Sequence, residues 1–399
     1  MIPALRKAFN EAFTRQKFDS FFADLNSRYP GAIEFRIAET PIFVPKHFYL
    51  LLYDACEHIV DFILDPRFKS MTDRAIPPDD WVPNENAHPH FLAFDFGVCE
   101  DGQGGYTPRL IEMQGFPSLY GFQVYYPETL CRHFTIAPGF SQFLNGYDHD
   151  SYLALLRDTI VGDCTPEEVI LLEIKPHEQK TRIDFYCTQD YLGITPVCLT
   201  ELIREGRRLF YLHPATGKKT PIRRIYNRVI FDELHASAAR LPPGFVDIRL
   251  DLDVEWITHP NWFYRVSKFT LPFIDHPCVP ATFFLNELKQ PPADLENYVL
   301  KPLFSFAGKG VIIDVRPQDL DVSDPENWIL QRKVVYADLI ATPDVPAKTE
   351  IRMLYLWKDG DARPTLAINL ARLSKGKMIG VDFNKNREWV GGSVGFFEQ

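Results

Sequence analysis

Apolar positions divide the chain into recognisable segments. Leu5, Phe9, Phe13, Phe18, Phe21, Phe22 and Leu25 recur near helical spacing, so residues 3–28 are predicted to be helical, ended by Pro30-Gly31. A second helix is predicted over Lys46–Leu64, stopped near Pro66, and the Pro-, Asp- and Asn-rich residues 75–90 read as a loop. Leu92–Val98 and Arg109–Met113, joined by a Gly-rich turn, read as a hairpin. Glu168–Ile174 and Thr195–Cys198 read as strands around a helix at about 177–190. A short helix or turn at Glu201–Glu205 and a strand at Arg208–Leu212 follow, a rhythm that suggests a small α/β unit continuing into Ile222–Phe231. His259–Leu271 reads as loop then helix. Tyr298–Leu300 and Val311–Val315 read as neighbouring strands, Trp328–Ala337 as a strand, and Thr349–Trp357 with Thr365–Leu373 as a hairpin. Lys375–Phe397 is Gly- and Asn-rich yet apolar, which predicts a flexible loop packed back onto the body.

Length and composition narrow this picture. A chain of 399 residues suggests two or three domains or lobes. The divisions read here are an N-terminal helical region (1–80), a hairpin part of the main body (81–150), the α/β unit (151–260) and the remainder (261–399). A net charge of −10 argues against nucleic-acid binding, which needs a basic footprint. The seven cysteines are scattered with no CxxC, which reads as reduced thiols in a cytoplasmic protein. No signal peptide is read at the N-terminus, and no apolar run approaches a membrane span, so no membrane partner is expected. The histidines lack HExxH spacing and no GxSxG occurs, which removes zinc-peptidase and α/β-hydrolase chemistry. The sequence leaves the oligomeric state open.

The candidate chemistry lies in four places. Lys301, Pro302, Ser305, Gly308, Lys309 and Gly310 form a small-residue loop with a lysine at each end, a nest for a polyphosphate. A glycine-bearing hairpin with two solvated lysines is the plain alternative. Asp95 on one hairpin strand and Glu112 and Gln114 on the other supply hard oxygen donors suited to Mg²⁺ shared with phosphate oxygens; Glu112 and Gln114, two apart, share a strand face. The alternative there is a solvent-facing acidic pair. Arg228, in the basic and aromatic run IRRIYNRVIF, could take a carboxylate or phosphate bidentately, or form surface ion pairs. Lys268 sits near the start of a predicted helix, and Arg352 and Arg372 lie on the later hairpin.

Together these motifs resemble the ATP-grasp superfamily. YVLKP followed by a loop ending GKGV resembles its phosphate-covering hairpin, ILQRKV its adenine-bordering hinge with Gln331, and EIRMLYL with LAINLARL its arginine-presenting strands. LIEMQGFPSLYGF, matching the metal-binding Glu-x-Asn element, precedes the phosphate loop. That order is similar to the permuted group of glutathionylspermidine synthase-like ligases. The resemblance implies an α+β ATP-grasp fold, two α+β lobes gripping ATP, with an inserted Rossmann-like α/β unit and N-terminal helices. It also implies an ATP- and Mg²⁺-dependent carboxylate–amine ligase acting on a small-molecule or peptide carboxylate and an amine co-substrate. Lys268, Lys301 and the 305–310 loop would then hold phosphates, and Arg352 and Arg372 the acyl end. The chain departs from the pattern in having Gln114 for Asn, Ala93 for Arg, and Phe116-Pro117 for Asp-Thr. A phosphotransferase on the same fold, or a catalytically degenerate nucleotide-binding relative, are the competing expectations.

Overall fold

The computed structural model describes residues 2–304, 310–376, 379, 384 and 386–399. Its centre is a five-stranded antiparallel sheet in the order Gly391–Ser393, Thr365–Ser374, Lys348–Leu356, Phe91–Glu100, Tyr106–Gln114. Two hairpins separated by over two hundred residues meet edge to edge, with Arg352 opposite Asp95 and Asp95 opposite Glu112. Alternate residues such as Phe94, Phe96, Ile351 and Met353 face the main core. The register of the first hairpin shifts between Asp95 and Phe96, a bulge that lets Glu112 stand against Asp95 while Leu110 pairs with Phe96.

The predicted α/β unit is a four-stranded, all-parallel sheet in the order Glu255–Ile257, Arg224–Asn227, Val169–Glu173, Thr195–Cys198. Its crossover helix is Arg182–Leu192, capped by Gly193 at φ 76. An antiparallel meander of Ile203–Glu205, Arg208–Leu212 and Lys219–Ile222 is inserted before the strand Arg224–Asn227; Glu201–Glu205, expected as helix or turn, instead holds the end of a 3₁₀ turn, Leu199–Glu201, and the first of these strands. A separate three-stranded antiparallel sheet, Thr282–Phe284, Trp328–Arg332 and Tyr298–Pro302, carries Lys301 and Gln331.

Several expectations are corrected. Residues 3–28 form two helices, Pro3–Ala12 and Arg15–Ser27, because Thr14 caps the second by accepting from the Lys17 N–H. Val311–Val315 is not a strand; a single bridge joins Ile312 to Leu300, and Tyr298–Pro302 pairs with Trp328–Arg332 instead. The C-terminal run ends in strands. Gly395–Glu398 pairs parallel with Ile42–Val44 and antiparallel with Phe140–Ser141, burying Phe396 and Phe397. Helices Phe122–His133 and His149–Ile160 went unread; the first contains Pro127. All seven cysteines are free thiols. No helix among the described residues is long and apolar enough to cross a membrane.

Candidate active site

The row of the central sheet that faces away from the main core is a compact, largely buried charge network. Arg352 grips Asp95 with two bonds, Nε to Oδ1 at 2.5 Å and Nη2 to Oδ2 at 2.6 Å, in the planar bidentate geometry that makes such pairs strong. Arg372 adds a bond to Oδ2 at 2.5 Å and another to Glu350, and Arg352 reaches Glu112 at 3.5 Å. Glu350 also accepts from the Tyr336 hydroxyl at 3.0 Å. Tyr336 can sit this close to the strand only because Gly97 has no side chain: a Cβ there would stand 2.6 Å from the ring.

Burial pushes the Asp95 pKa up, but the two guanidiniums outweigh it and the net direction is down. Glu350 goes the other way. Burial raises it to about 7, with Arg372 opposing and Asp95 and Glu112 adding repulsion. Two carboxylates on one sheet face are thus pushed apart by what surrounds them.

The small sheet brings its lysine to this row. Lys301 Nζ donates to Gln331 Oε1 at 2.6 Å and to the Ile111 carbonyl, at the bulge, at 3.3 Å. Lys268 Nζ donates to the Pro302 carbonyl at 2.8 Å. Burial lowers both lysine pKa values, Lys268 to about 8 with Lys301 contributing, while Glu112 opposes in each case. Gln331 Nε2 and Arg372 Nε are buried without a hydrogen-bond partner among the described residues. Four cations, Lys268, Lys301, Arg352 and Arg372, therefore gather beside Asp95, Glu112 and Glu350, with Asp232 also acting on Lys268. Two lysines lowered by burial, with two orphaned donors among the described residues, fit a polyanion. Gly310 has φ 72 at the end of the small-residue loop; Ser305, Gly308 and Lys309 lie outside the described residues.

The divalent-cation donors fit in part. Gln114 Nε2 donates to Glu112 Oε1 at 2.8 Å, which leaves the amide oxygen beside the carboxylate. Asp95 is not presented in the same way, since both its oxygens are taken by arginines. Among the described residues no group of three or more Asp, Glu, His or Cys side chains is spaced to hold a metal. Glu112 and Gln114 are the donors that remain, and an ion there would need phosphate oxygens to complete its shell, as is usual for Mg²⁺.

Arg228 occupies a second position. It follows the strand Arg224–Asn227 at the carboxyl edge of the parallel sheet, its N–H bonded to Leu172 O at 2.9 Å. Its guanidinium lies over Phe116 at 4.7 Å and near Phe185 at 5.7 Å, and Nε and Nη1 are buried without partners. Around it are Glu173, raised to about 8 by burial with Arg228 opposing, and Asp184, also raised by burial. Asp184 Oδ1 accepts from the Gly121 and Phe122 N–H groups, while Oδ2 has no partner. The segment after Gln114 runs from the charge row to this edge, and buried Tyr120 on it feels both Arg352 and Arg228.

No protein-family model matches the sequence, and no curated protein matches it. The fold does have a counterpart. A solved structure of a glutathione synthetase-like effector from Globodera pallida, in its apo form, is similar with a TM-score of 0.59, covering 96% of each chain at 10% identity. At that identity the likeness is one of fold, and it extends over nearly the whole of both chains.

Sequence reasoning gave no role to Glu350, Tyr336, Glu173 or Asp184. Glu350 was recoverable, since it lies two residues before Arg352 on one strand and therefore on the same face. Glu173, as the last residue of a strand that is otherwise wholly apolar, also carried a signal.

Proposed function

We propose that this protein is an ATP-dependent carboxylate–amine ligase of ATP-grasp type, with the order of elements permuted. The observation that carries the reading is the meeting of Lys268, Lys301 and Gln331 with the Glu112–Asp95–Arg352 row. A cationic, partly desolvated patch beside two oxygen donors is what transfer of a phosphoryl group asks of a protein, because such chemistry is mostly positioning and charge stabilisation. Lys301 and Lys268 would lie along phosphates, and the orphaned Gln331 amide N–H would meet an acceptor on the base. Glu112 and Gln114 would hold Mg²⁺, which when bound supplies charge neutralisation between phosphate oxygens.

Arg228 would receive a carboxylate of the acceptor substrate, one whose second end reaches the row past Tyr120. Its two unpartnered nitrogens and the apolar rings beside it suit a carboxylate held out of water. Arg372, with its free Nε, would face the reacting carboxylate. That group would take the γ-phosphoryl to give an acyl phosphate, and the amine would displace phosphate with loss of a proton.

A second reading is favoured by one observation. Asp95 saturated by two arginines, with no three-carboxylate cluster, suits a relative that binds nucleotide without turning it over. The deciding experiment measures Mg-ATP binding by calorimetry and by thermal stability, since a ligand specific for the folded state must raise Tm. ADP release is then assayed with amino-acid and peptide acceptors. The ligase reading expects binding, amine-dependent ADP release, and loss of turnover with retained folding in Glu112→Gln. Binding without turnover in any acceptor panel supports the second reading, and absence of binding removes both.

A further inference from the structure

Most deeply buried arginines here have carboxylate partners: Arg265 has Glu85 and Asp73, Arg224 has Glu255 and Asp359, and Arg352 has Asp95. Arg6 is different. It is 7% exposed on the first helix, and no carboxylate lies within ion-pair distance among the described residues. Its Nη1 donates to Thr40 Oγ1 and the Pro41 carbonyl, its Nη2 to Asn10 Oδ1, and its face lies 5.0 Å over the Phe9 ring. Every one of these partners is neutral. Of the donors left over, Nε is buried with no partner among the described residues.

A buried cation without a counter-charge is costly, and an anion brought to it would offset that cost. Burial pulls this guanidinium down to about 10, with no neighbouring charge supporting it. Arg6 also lines a cavity of about 460 Å³, a volume within the range of small-molecule sites. The other walls are mostly apolar, formed by Tyr106, Leu339 and Ala341. At the rim Glu11 is matched by Lys7, 3.9 Å away, so the carboxylate in the lining is already offset.

We propose that this cavity binds a small organic monocarboxylate, with Arg6 receiving the carboxylate and Tyr106, Leu339 and Ala341 enclosing the apolar body. The site is separate from the charge row. Tyr106 and Glu112 are six residues apart on one strand, roughly 20 Å at about 3.4 Å per residue. The proposal therefore stands or falls independently of the ligase reading.

The test uses the full chain with benzoate as probe and benzyl alcohol as its neutral counterpart, read by calorimetry and Tm without nucleotide. Benzoate is expected to bind saturably and raise Tm, and benzyl alcohol to do neither. Arg6→Met, which keeps the apolar stem, should weaken benzoate by at least about tenfold. Ala341→Trp, a change at an exposed wall position, should block the cavity to a similar degree with Arg6 intact and the fold undisturbed. It decides the matter if Arg6→Met fails to fold. Benzoate binding that survives Ala341→Trp or a folded Arg6→Met, or no saturable binding at all, would overturn the proposal. So would inorganic phosphate binding as tightly as benzoate, because the apolar walls would then contribute nothing.

Discussion

The two polar regions of the core hold buried arginines in opposite ways. On the central sheet Arg352 and Arg372 are matched to Asp95 and Glu350 by several short bonds. At the carboxyl edge of the parallel sheet Arg228 has two bare nitrogens, and the acids near it are raised toward neutrality. The first region has settled its charges internally and so fixes geometry. The second has left them unsettled, and such groups in the crevice beyond the carboxyl ends of parallel strands are where ligands of open α/β sheets bind. Under the proposed function, the fixed row would position and the unsatisfied edge would recognise.

Removing one member from each region gives the largest contrast. Asp95→Ala strands the buried guanidinium of Arg352, while the half-buried Arg372 keeps Glu350, and is expected to cost ~3–5 kcal/mol, the usual penalty for breaking a buried pair from one side. Arg228→Met removes a charge with no direct partner and should change stability by no more than ~1 kcal/mol, while acceptor-dependent turnover collapses. Urea denaturation of both variants measures this. Equal destabilisation would show that Arg228 is as well compensated as Arg352, and the contrast would be lost.

The acids should separate by pH. In the folded protein Glu173 holds its proton up to about 8, whereas an exposed Glu titrates near 4.5. Between these values the folded state binds more protons than the unfolded chain, so the Glu173 contribution to stability declines as pH rises. It is fully present below about 4.5 and lost by about 8, worth at most ~5 kcal/mol at about 1.4 kcal/mol per unit. Asp95 has the opposite sign: its lowered pKa stabilises above the ordinary carboxylate range and is lost in acid. Stability measured from pH 5 to 8 should fall less in Glu173→Gln than in the parent. A parallel pair of curves would mean that Glu173 is ionised in the folded protein at neutral pH.

How much of this was legible depended on parity and on burial. Strand alternation placed Asp95, Glu112, Gln114, Arg352 and Arg372 on hairpin strands from sequence, because side-chain period two is a local property. That the two hairpins join edge to edge is a long-range fact carried by shape, which the permuted order of motifs could only imply. The β-branched run Val311–Val315 misled because strand propensity without a paired neighbour makes no strand. Helix Phe122–His133 was obscured by Pro127, whose cost is met by packing of Phe122, Tyr125 and Tyr126 in the aromatic core. The bare state of Arg228 was beyond reading, since a one-dimensional pattern cannot show which carboxylate a buried guanidinium fails to meet.

A substitution inside the fixed row probes its rigidity. In Gly97→Ala the new methyl would meet the Tyr336 ring at 2.6 Å, so Tyr336 must move and give up its bond to Glu350. The expected cost is ~1–3 kcal/mol, as for other overpacked sites. Tyr336→Phe is the control, deleting the bond without the clash, and should cost about 1 kcal/mol. Gly97→Ala no worse than Tyr336→Phe would show that the row yields easily.

The smallest expected effect is at Gln114. Gln114→Asn shortens the arm by one methylene and withdraws the amide from Glu112 Oε1, which it now meets at 2.8 Å. Gln114 is partly exposed, so stability should change by less than ~0.5 kcal/mol, the usual range for surface positions. Activity need not follow stability. If the amide oxygen is a donor to a cation shared with phosphates, Asn keeps that oxygen, and Mg-dependent ATP binding should persist within about tenfold. Gln114→Leu deletes it and should lose more. Titrating Mg²⁺ at fixed ATP in both variants separates the cases. If Asn and Leu weaken the Mg²⁺ dependence equally, Gln114 serves only to steady Glu112, and the charge row alone carries whatever affinity the site has for a nucleotide.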